Sequence, residues 1–271
     1  MGEKGGPVYK GLGKVPDRAL LLFAALIYVF LYAPILVLVL FSFNSSKSTQ
    51  VWTGFSLEWY GELIRDQSVL DAFRISMIVG ATATAIATVI GTLTALALTR
   101  HSFRGKTFAD SAIYAATVMP EIVVGVSLLV FFVAATINLG IVTIIIAHVA
   151  FTISFVTIVV RARLSGMDRS VEEAAQDLGA NPVQTFLRVT LPLILPGVMA
   201  GALLAFTLSF DDFVITFFVA GVDSTTLPLK IYSMIKFGVS PVINAISTVV
   251  LIVTMVLIFG GSSIFMRKEN A

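Results

Sequence analysis

The polar stretch Ser170-Val-Glu-Glu-Ala-Ala-Gln-Asp-Leu-Gly-Ala-Asn-Pro182 separates two long apolar segments and carries the signals of two short helices. Ser170, with Glu173 three positions later, predicts a capping box that starts the first helix. Gly179 is placed to end that helix in a left-handed C-cap. Asn181 followed by Pro182 predicts an N-cap and an N1 proline, so a second helix begins at once. The stretch therefore predicts two helices that meet at a corner, as in an amphipathic connector between membrane helices.

The composition on either side of this corner predicts a membrane protein. Of the 271 residues, 57% are hydrophobic and 13% are charged, whereas soluble domains carry about 25% charged residues. The mean hydropathy is +0.97, and several apolar runs exceed the ~18 residues that predict a membrane-spanning helix. We therefore predict an all-α, multi-pass membrane protein, and the formal charge of +2 gives no reason to expect a nucleic-acid partner. The chain has no cysteine, which excludes disulfides, a thiol nucleophile and a cysteine metal site.

Six apolar segments are long enough to span the bilayer. They are predicted at residues 19–43, 70–99, 111–136, 139–160, 193–220 and 242–266, within a transmembrane domain of residues 19–266. Residues 1–18 and 267–271 form polar tails, and residues 161–192 form the loop that contains the corner. The first span is longer than a signal-peptide core and no cleavage site follows it, so we expect it to be retained.

Three local features refine these spans. Small residues spaced by four along the second span predict close packing against other helices; the two rows are Gly80, Thr84, Thr88, Thr92 and Ala83, Ala87, Gly91, Ala95. Pro192 predicts a turn between the second short helix and the fifth span. In the polar loop of residues 44–70, the aromatic residues Trp52, Trp59 and Tyr60 are expected at the membrane interface.

The distribution of basic residues orients the spans. Six spans place both termini on one side of the membrane, and 13 of the 18 lysines and arginines lie on that side. The other five are Lys47, Arg65, Arg74, Lys230 and Lys236. By the positive-inside rule, both termini and the loop of residues 161–192 are predicted to face the cytoplasm.

Three acids stand out inside apolar runs of the predicted spans, away from the span ends: Glu121, Asp211 and Asp212. An ionised carboxylate costs roughly 2.5–3.5 kcal/mol at the centre of a spanning helix, so such residues usually face a cavity or a partner. Few basic residues within the spans can neutralise them, which favours a pathway for a positively charged substrate. We expect Tyr232, between the fifth and sixth spans, to line the same pathway. The alternative, that these acids cap broken helices, stays open and applies to Asp211 more than to the other two.

Other constellations do not support an enzyme. Gly105-Lys106-Thr107 resembles the end of a phosphate-binding loop, but Arg100 stands where that loop requires a glycine. His148 is alone in the fourth span, and a packed or hydrogen-bonded histidine explains it better than a metal ligand does. No nucleophile elbow of the form Gly-x-Ser-x-Gly is present. We therefore predict that any ATP is hydrolysed by another chain.

The spacing of the polar stretch resembles the EAA loop of ABC-importer permeases. The matching residues are Glu173-Ala174-Ala175, Gly179 after three more residues, Val189 after nine more, and Leu191-Pro192 after one more. Val189 departs from the isoleucine usual in that family. The resemblance implies the type I permease fold, with this loop as a coupling helix that docks on a separate ATPase subunit. It assigns the ATPase contact to Glu172, Glu173, Ala174, Ala175, Asp177 and Gly179.

A closer resemblance covers about residues 25–265. Tyr32-Ala-Pro34, the stretch from Phe41 to Ser46, the stretch from Leu208 to Phe213 and residues 226–241 are similar to the second-permease family of spermidine/putrescine importers. The resemblance implies a bacterial inner-membrane subunit that moves polyamines inward by alternating access. It also implies three partners: a second, homologous permease chain, a dimer of ATPase subunits that bind ATP and magnesium, and a periplasmic polyamine-binding protein. This chain itself would hold no cofactor.

Three alternatives stay open at this point. An ABC permease for an amino acid or an inorganic ion would carry the same coupling loop, because that loop does not contact the substrate. An ion-coupled secondary transporter would also use buried acids but would not need the Glu-Ala-Ala loop. A membrane enzyme is disfavoured because no nucleophile is visible.

Overall fold

Helices make up most of the structure. The computed structural model describes residues 17–47, 51–237 and 240–269, so residues 1–16 of the predicted tail and residues 270–271 lie outside the described residues. The helices are α1 (Asp17–Phe41), α2 (Glu58–Arg65), α3 (Gln67–Arg100), α4 (Lys106–Val118), α5 (Glu121–Ala134), α6 (Ile141–Ser165), α7 (Ser170–Asp177), α8 (Pro182–Thr185), α9 (Leu191–Phe210), α10 (Val214–Val219), α11 (Leu227–Phe237) and α12 (Pro241–Glu269). A π-helical turn, Phe186–Thr190, joins α8 to α9. The prediction of an all-α protein is confirmed for the described part of the chain.

Four helical stretches within these ranges are long and apolar enough to cross a membrane. They are Arg18–Phe41, Gln67–Arg100, Ile141–Ser165 and Pro182–Phe210. Even the shortest, with 24 residues, is about 36 Å long at ~1.5 Å per residue, which exceeds the ~30 Å hydrocarbon core. Helix α12 contributes a further apolar stretch, Pro241–Val256. The chain is therefore a multi-pass membrane protein.

The third predicted span is not one helix. Residues 111–136 are divided between α4 and α5, which are bent by 111° against each other. Pro120 causes the break, because a proline disfavours helical geometry at the residue before it. Met119 is accordingly extended, with φ −67° and ψ 130°. Each half, at 13 and 14 residues, is about 20 Å long and too short to cross the bilayer alone.

Helices α3, α6 and α9 pack together as the centre of the fold. Of the two predicted small-residue rows of α3, one is buried at all four positions, Ala83, Ala87, Gly91 and Ala95. The other is buried at Gly80 and Thr92 and half-buried at Thr84 and Thr88. A methyl group at Gly91 would lie only 2.8 Å from Cβ of Val156 on α6, so the two helices approach each other as closely as glycine allows. The prediction of close helix packing along α3 is confirmed.

Pro192 does not mark a turn. The helix runs without interruption from Pro182 to Phe210, passing through the π-helical turn just before Pro192. In this turn the Leu191 N–H donates to the carbonyl of Phe186, five residues back. Because the hydrogen-bond ladder has already left its usual i→i−4 register, the proline ring is accommodated and the chain continues as α9.

The fifth predicted span, residues 193–220, ends early. Helix α9 stops at Phe210, and the short helix α10 starts at Val214. Residues Asp211–Phe213 between them are called the helix break below. A hydropathy pattern predicts a single span there because it averages this short segment with the apolar runs on either side.

One predicted interfacial aromatic residue is buried instead. Trp59 is 4% exposed, and its indole N–H donates to the Asn44 carbonyl at 2.6 Å. Trp52 remains 48% exposed. A tryptophan needs a partner for its N–H when buried, and the turn that follows α1 supplies one, so Trp59 anchors α2 to that turn.

Candidate coupling loop and substrate pathway

The start of helix α7 differs from the prediction. The capping box of Ser170 and Glu173 is absent from the hydrogen bonds of the described residues, and Asp168 accepts the Ser170 N–H at 3.0 Å instead. This backbone hydrogen bond, together with the Ser170 hydroxyl, lowers the pKa of the Asp168 carboxyl. Aspartate is an effective cap because its carboxylate takes up an amide that the first helical turn leaves unpaired.

The corner between α7 and α8 is confirmed. Gly179 has a φ of +89°, which a residue with a side chain rarely adopts. Its N–H donates to the Gln176 carbonyl at 2.9 Å, and the Ala180 N–H donates to the Ala175 carbonyl at 3.0 Å. These two bonds form a Schellman C-cap. Helix α8 then begins as predicted.

The predicted N-cap of α8 is also present. The Asn181 side chain accepts the Gln184 N–H at 2.9 Å, and the Gln184 side chain accepts the Asn181 N–H at 3.1 Å. Pro182 occupies the first helical turn, where its missing N–H is not needed. The corner is therefore fixed by local hydrogen bonds at both of its sides.

Helix α7 presents the predicted coupling residues on two faces. Glu173, Ala174, Asp177 and Gly179 are exposed, whereas Glu172 and Ala175 are partly buried against the bundle. Sequence reasoning missed three exposed apolar side chains beside the outward face: Leu178 is 91% exposed, Val183 65% and Leu187 55%. Apolar residues in an otherwise polar loop were the signal that could have identified them. Together these residues form a surface on which a protein could dock.

The helix break places Asp212 inside the protein. Asp212 is 8% exposed, and its carboxylate accepts the Ile215 N–H at 3.2 Å, the Thr216 N–H at 2.8 Å and the Thr216 hydroxyl at 2.8 Å. His148 Nε2 of α6 lies 3.2 Å from the same carboxylate. Asp212 therefore caps α10 and ties it to α6. These contacts are those of the capping alternative, and a role of Asp212 in a substrate pathway stays a prediction.

His148 is a hydrogen-bonded core residue, as predicted. It is 1% exposed, and its Nδ1 lies 2.7 Å from the hydroxyl of Ser209 at the end of α9. One proton arrangement satisfies the network, with the ring donating from Nε2 to Asp212 and the Ser209 hydroxyl donating to Nδ1. Within the described ranges, no group of three or more His, Cys, Asp or Glu side chains could hold a metal ion.

Asp211 has the opposite environment. It is exposed and lines two neighbouring cavities of about 260 Å³ and 250 Å³. Tyr232 of α11 lines the larger one, so the structure brings these two predicted residues together. The ring of Phe213 lies 4.5 Å from that of Tyr232, centroid to centroid, and Phe217 lies 6.3 Å from Tyr232. Sequence reasoning did not identify these two phenylalanines.

Glu121 reaches the helix break from another span. It is exposed in the first turn of α5 and interacts electrostatically with Asp212 and Asp211. Helix α5 packs closely on α10, since a methyl group at Gly125 would lie 2.8 Å from the Phe218 ring. The break in the third span thus brings its acid beside the break in the fifth.

Comparisons with known proteins agree with this architecture. Residues 87–265 match the model of the family described as "Binding-protein-dependent transport system inner membrane component". The putrescine transport system permease protein PotI of Escherichia coli (strain K12) is 46% identical over 83% of this chain and 82% of its own length. The spermidine/putrescine transport system permease protein PotC of the same strain is 42% identical over 92% of this chain and 94% of its own.

A solved structure extends the agreement to the fold. A chain of a bacterial ABC transporter involved in the import of the acidic polysaccharide alginate superposes with a TM-score of 0.72 at 14% identity, covering 97% of this chain and 99% of its own length. At that identity the likeness concerns the fold alone. The family model and the two polyamine permeases carry the assignment, and the chain belongs to the family of binding-protein-dependent transport system inner membrane components.

Proposed function

We propose that this chain is one permease subunit of an ATP-driven importer that moves polyamines such as putrescine and spermidine inward by alternating access. The observation that carries the cargo assignment is the Asp211 carboxylate, which lines a cavity walled by Phe213 and Tyr232. The relatives named for putrescine and spermidine transport give the same cargo class.

The chemistry of a polyamine suits this site. At about 4 Å and an effective dielectric near 20, a carboxylate attracts an ammonium group by about 4 kcal/mol before desolvation. Aromatic faces add roughly 0.5–2 kcal/mol to a cation above them. A polyamine carries cations separated by methylenes, so two acids on different helices, Asp211 and Glu121, would provide separated contacts. Tyr232 lines the cavity beside Asp211. Such contacts would bind the cation selectively and still allow its release.

The remaining architecture is proposed on the same basis. The four long spans, the bent pair α4–α5 and α12 give six crossings over residues 19–266, with both termini and the corner in the cytoplasm of a bacterium. Glu173, Ala174, Asp177 and Gly179 would contact one subunit of an ATPase dimer, which binds ATP and magnesium in place of this chain. A second, homologous permease and a periplasmic polyamine-binding protein complete the importer.

The topology can be tested directly because the chain has no cysteine of its own. Single cysteines at Leu178 and Val222, which are 91% and 90% exposed, are treated with a membrane-impermeant maleimide on intact cells. We expect labelling at Val222 from outside and at Leu178 only after the membrane is opened. Labelling of Leu178 from outside would contradict an ATPase contact at the corner.

The cargo assignment is tested in proteoliposomes that contain the complete importer. We expect ATP-dependent uptake of putrescine or spermidine, with no uptake of sulfate or a neutral amino acid. Glu121→Gln should reduce polyamine uptake, and the matched change Glu62→Gln, at an exposed acid of α2, should not. Uptake of an anion or amino acid in place of polyamines would assign the permease to another cargo, and uptake driven by an ion gradient without ATP would assign it to another transporter class.

A further inference from the structure

A partly buried ion pair connects helix α7 to the end of α3. Glu172 Oε2 lies 3.0 Å from Nε of Arg100, the last residue of α3. Their side chains are only 13% and 11% exposed. Arg169, directly before α7, adds a second link because its guanidinium donates to the Arg100 carbonyl at 3.2 Å. The start of α7 and the end of α3 are therefore held at two points.

The other oxygen of Glu172 connects to α9. The hydroxyl of Thr190, the last residue of the π-helical turn, donates to Glu172 Oε1 at 2.8 Å. Thr190 is 3% exposed. A threonine within a helix often donates to the carbonyl four residues back, but here its hydroxyl crosses to α7. A single carboxylate thus joins α3, α7 and the helix that continues as α9.

This arrangement separates two acids that the sequence does not distinguish. Glu172 is turned inward and both of its oxygens are used, so it is not free to contact a partner. Glu173, the next residue, is exposed on the outward face. Successive residues of a helix point about 100° apart, so one can contact the bundle while its neighbour contacts another protein.

We infer that Glu172, with Arg100 and Thr190, is a positioning group that makes α7 move as one body with α3 and α9 when an ATPase subunit pushes on its outward face. These three residues are called the α7 clamp. The role of the clamp in coupling rests on the proposed function, because a movement of α7 drives transport only if α7 is a coupling helix. The clamp converts a displacement at the loop into a displacement of two core helices, one of which carries the helix break.

Pulsed electron–electron double resonance tests whether the clamp fixes α7 relative to α3. Spin labels are placed at Phe103, just after α3, and at Gln176 on α7, both exposed, in the complete importer with cysteine-free partners. We expect Arg100→Gln and Glu172→Gln to broaden the distance distribution between the labels. Arg104→Gln, at an exposed arginine four residues along, is the matched control and should leave it narrow.

The functional part is the number of substrate molecules transported per ATP hydrolysed. We expect this ratio to fall about five-fold or more in both clamp variants, while Glu173→Gln weakens ATPase binding without broadening the distances. Thr190→Val keeps the shape and removes the hydroxyl, and it provides a milder variant should the others fold poorly. The exchange of Arg100→Glu with Glu172→Arg should restore part of the ratio.

The possible results separately test the clamp, its role in coupling and the proposed function. Narrow distances in Arg100→Gln and Glu172→Gln would overturn the clamp. Broad distances with a wild-type transport ratio would overturn its role in coupling. A wild-type importer that does not hydrolyse ATP would contradict the proposed function instead, and the distance measurement would still decide whether the clamp exists.

Discussion

The coupling loop and the helix break each contain two adjacent acids, and in both places the two acids have opposite environments. At the break, Asp212 is buried among donors while Asp211 faces two cavities. In the loop, Glu172 is held by Arg100 and Thr190 while Glu173 is exposed. The comparison indicates that one acid of each pair supports the structure and leaves its neighbour available to a ligand or a partner.

The physical reason is the same in both regions. A carboxylate turned toward the bundle is tolerated only when hydrogen-bond donors or a cation compensate for its lost hydration. Once it is held, the backbone around it is fixed, and the direction of the next side chain is fixed with it. The inward acid thereby orients the outward one.

The largest effect is expected at the inward acid of the break. Asp212→Ala removes the cap of α10 and leaves the Ile215 and Thr216 amides without their acceptor. It also removes one of the two partners of His148 Nε2, the other being the Thr216 hydroxyl. Breaking such a buried hydrogen-bonded pair costs about 3 kcal/mol or more. The thermal unfolding temperature of the purified protein should therefore drop clearly, whereas Asp211→Ala should change it little. Equal stability of the two variants would remove the distinction between these acids.

A smaller effect is expected at Gly179, in the corner that orients helix α7 and its exposed Glu173. Gly179→Val forces a branched side chain into a left-handed conformation, which costs about 1–2 kcal/mol. The variant should insert into the membrane but retain less ATPase in a pull-down. Gly166→Ala is the control, because Gly166 has a φ of −87° and a methyl group there would lie no closer than 3.7 Å to its neighbours. Normal ATPase retention by Gly179→Val would show that the corner angle is unimportant.

The smallest effect concerns the acids that cap helices outside the spans. Hydrogen bonds from the Ser68 side chain, and then from the Val69 and Ser68 amides, lower the pKa of the Asp66 carboxyl below its usual value. A lowered pKa means that the ionised cap stabilises the protein fully when the pH is above the pKa that the carboxyl has in the unfolded chain. This contribution is lost as the pH falls through the lower pKa that the carboxyl has in the folded protein. Asp66→Asn keeps a cap that does not titrate. The variant should lose less stability than the wild type between about pH 5 and pH 3, as followed by thermal unfolding.

Local features of the coupling loop were predictable from sequence. Gly179, Asn181 and Pro182 act through their own backbone and their nearest neighbours, so the corner follows from residue type and spacing alone. The cap of α7 was assigned to Ser170, two residues too late, because Asp168 takes the Ser170 amide that the Glu173 side chain was expected to bind. The roles of Glu172 and Glu173 were not predictable, since Arg100 lies on a distant helix.

The helix break was harder to predict from sequence, again because a deciding contact comes from a distant helix. Hydropathy does not register a change of direction, so Pro120 was included in one span although it ends α4. Asp211 and Asp212 are equivalent in sequence, and their difference depends on His148, which reaches Asp212 from α6. Sequence reasoning placed Asp212 ahead of Asp211 for the pathway, and both assignments stay predictions. The amides of α10 and the packing of α6 against the break distinguish the environments of the two acids.

The central claim is that Asp211, the outward acid of the break, contacts a cationic cargo. Its most direct test is uptake of radiolabelled putrescine and spermidine into vesicles by Asp211→Asn, with Asp223→Asn as the control. Asp223 is exposed with a φ of +59°, which asparagine also tolerates. We expect Asp211→Asn to lower uptake about ten-fold or more, equivalent to at least ~1.4 kcal/mol, with unchanged thermal stability and ATPase retention, and Asp223→Asn to match the wild type. Wild-type uptake by Asp211→Asn would contradict the account.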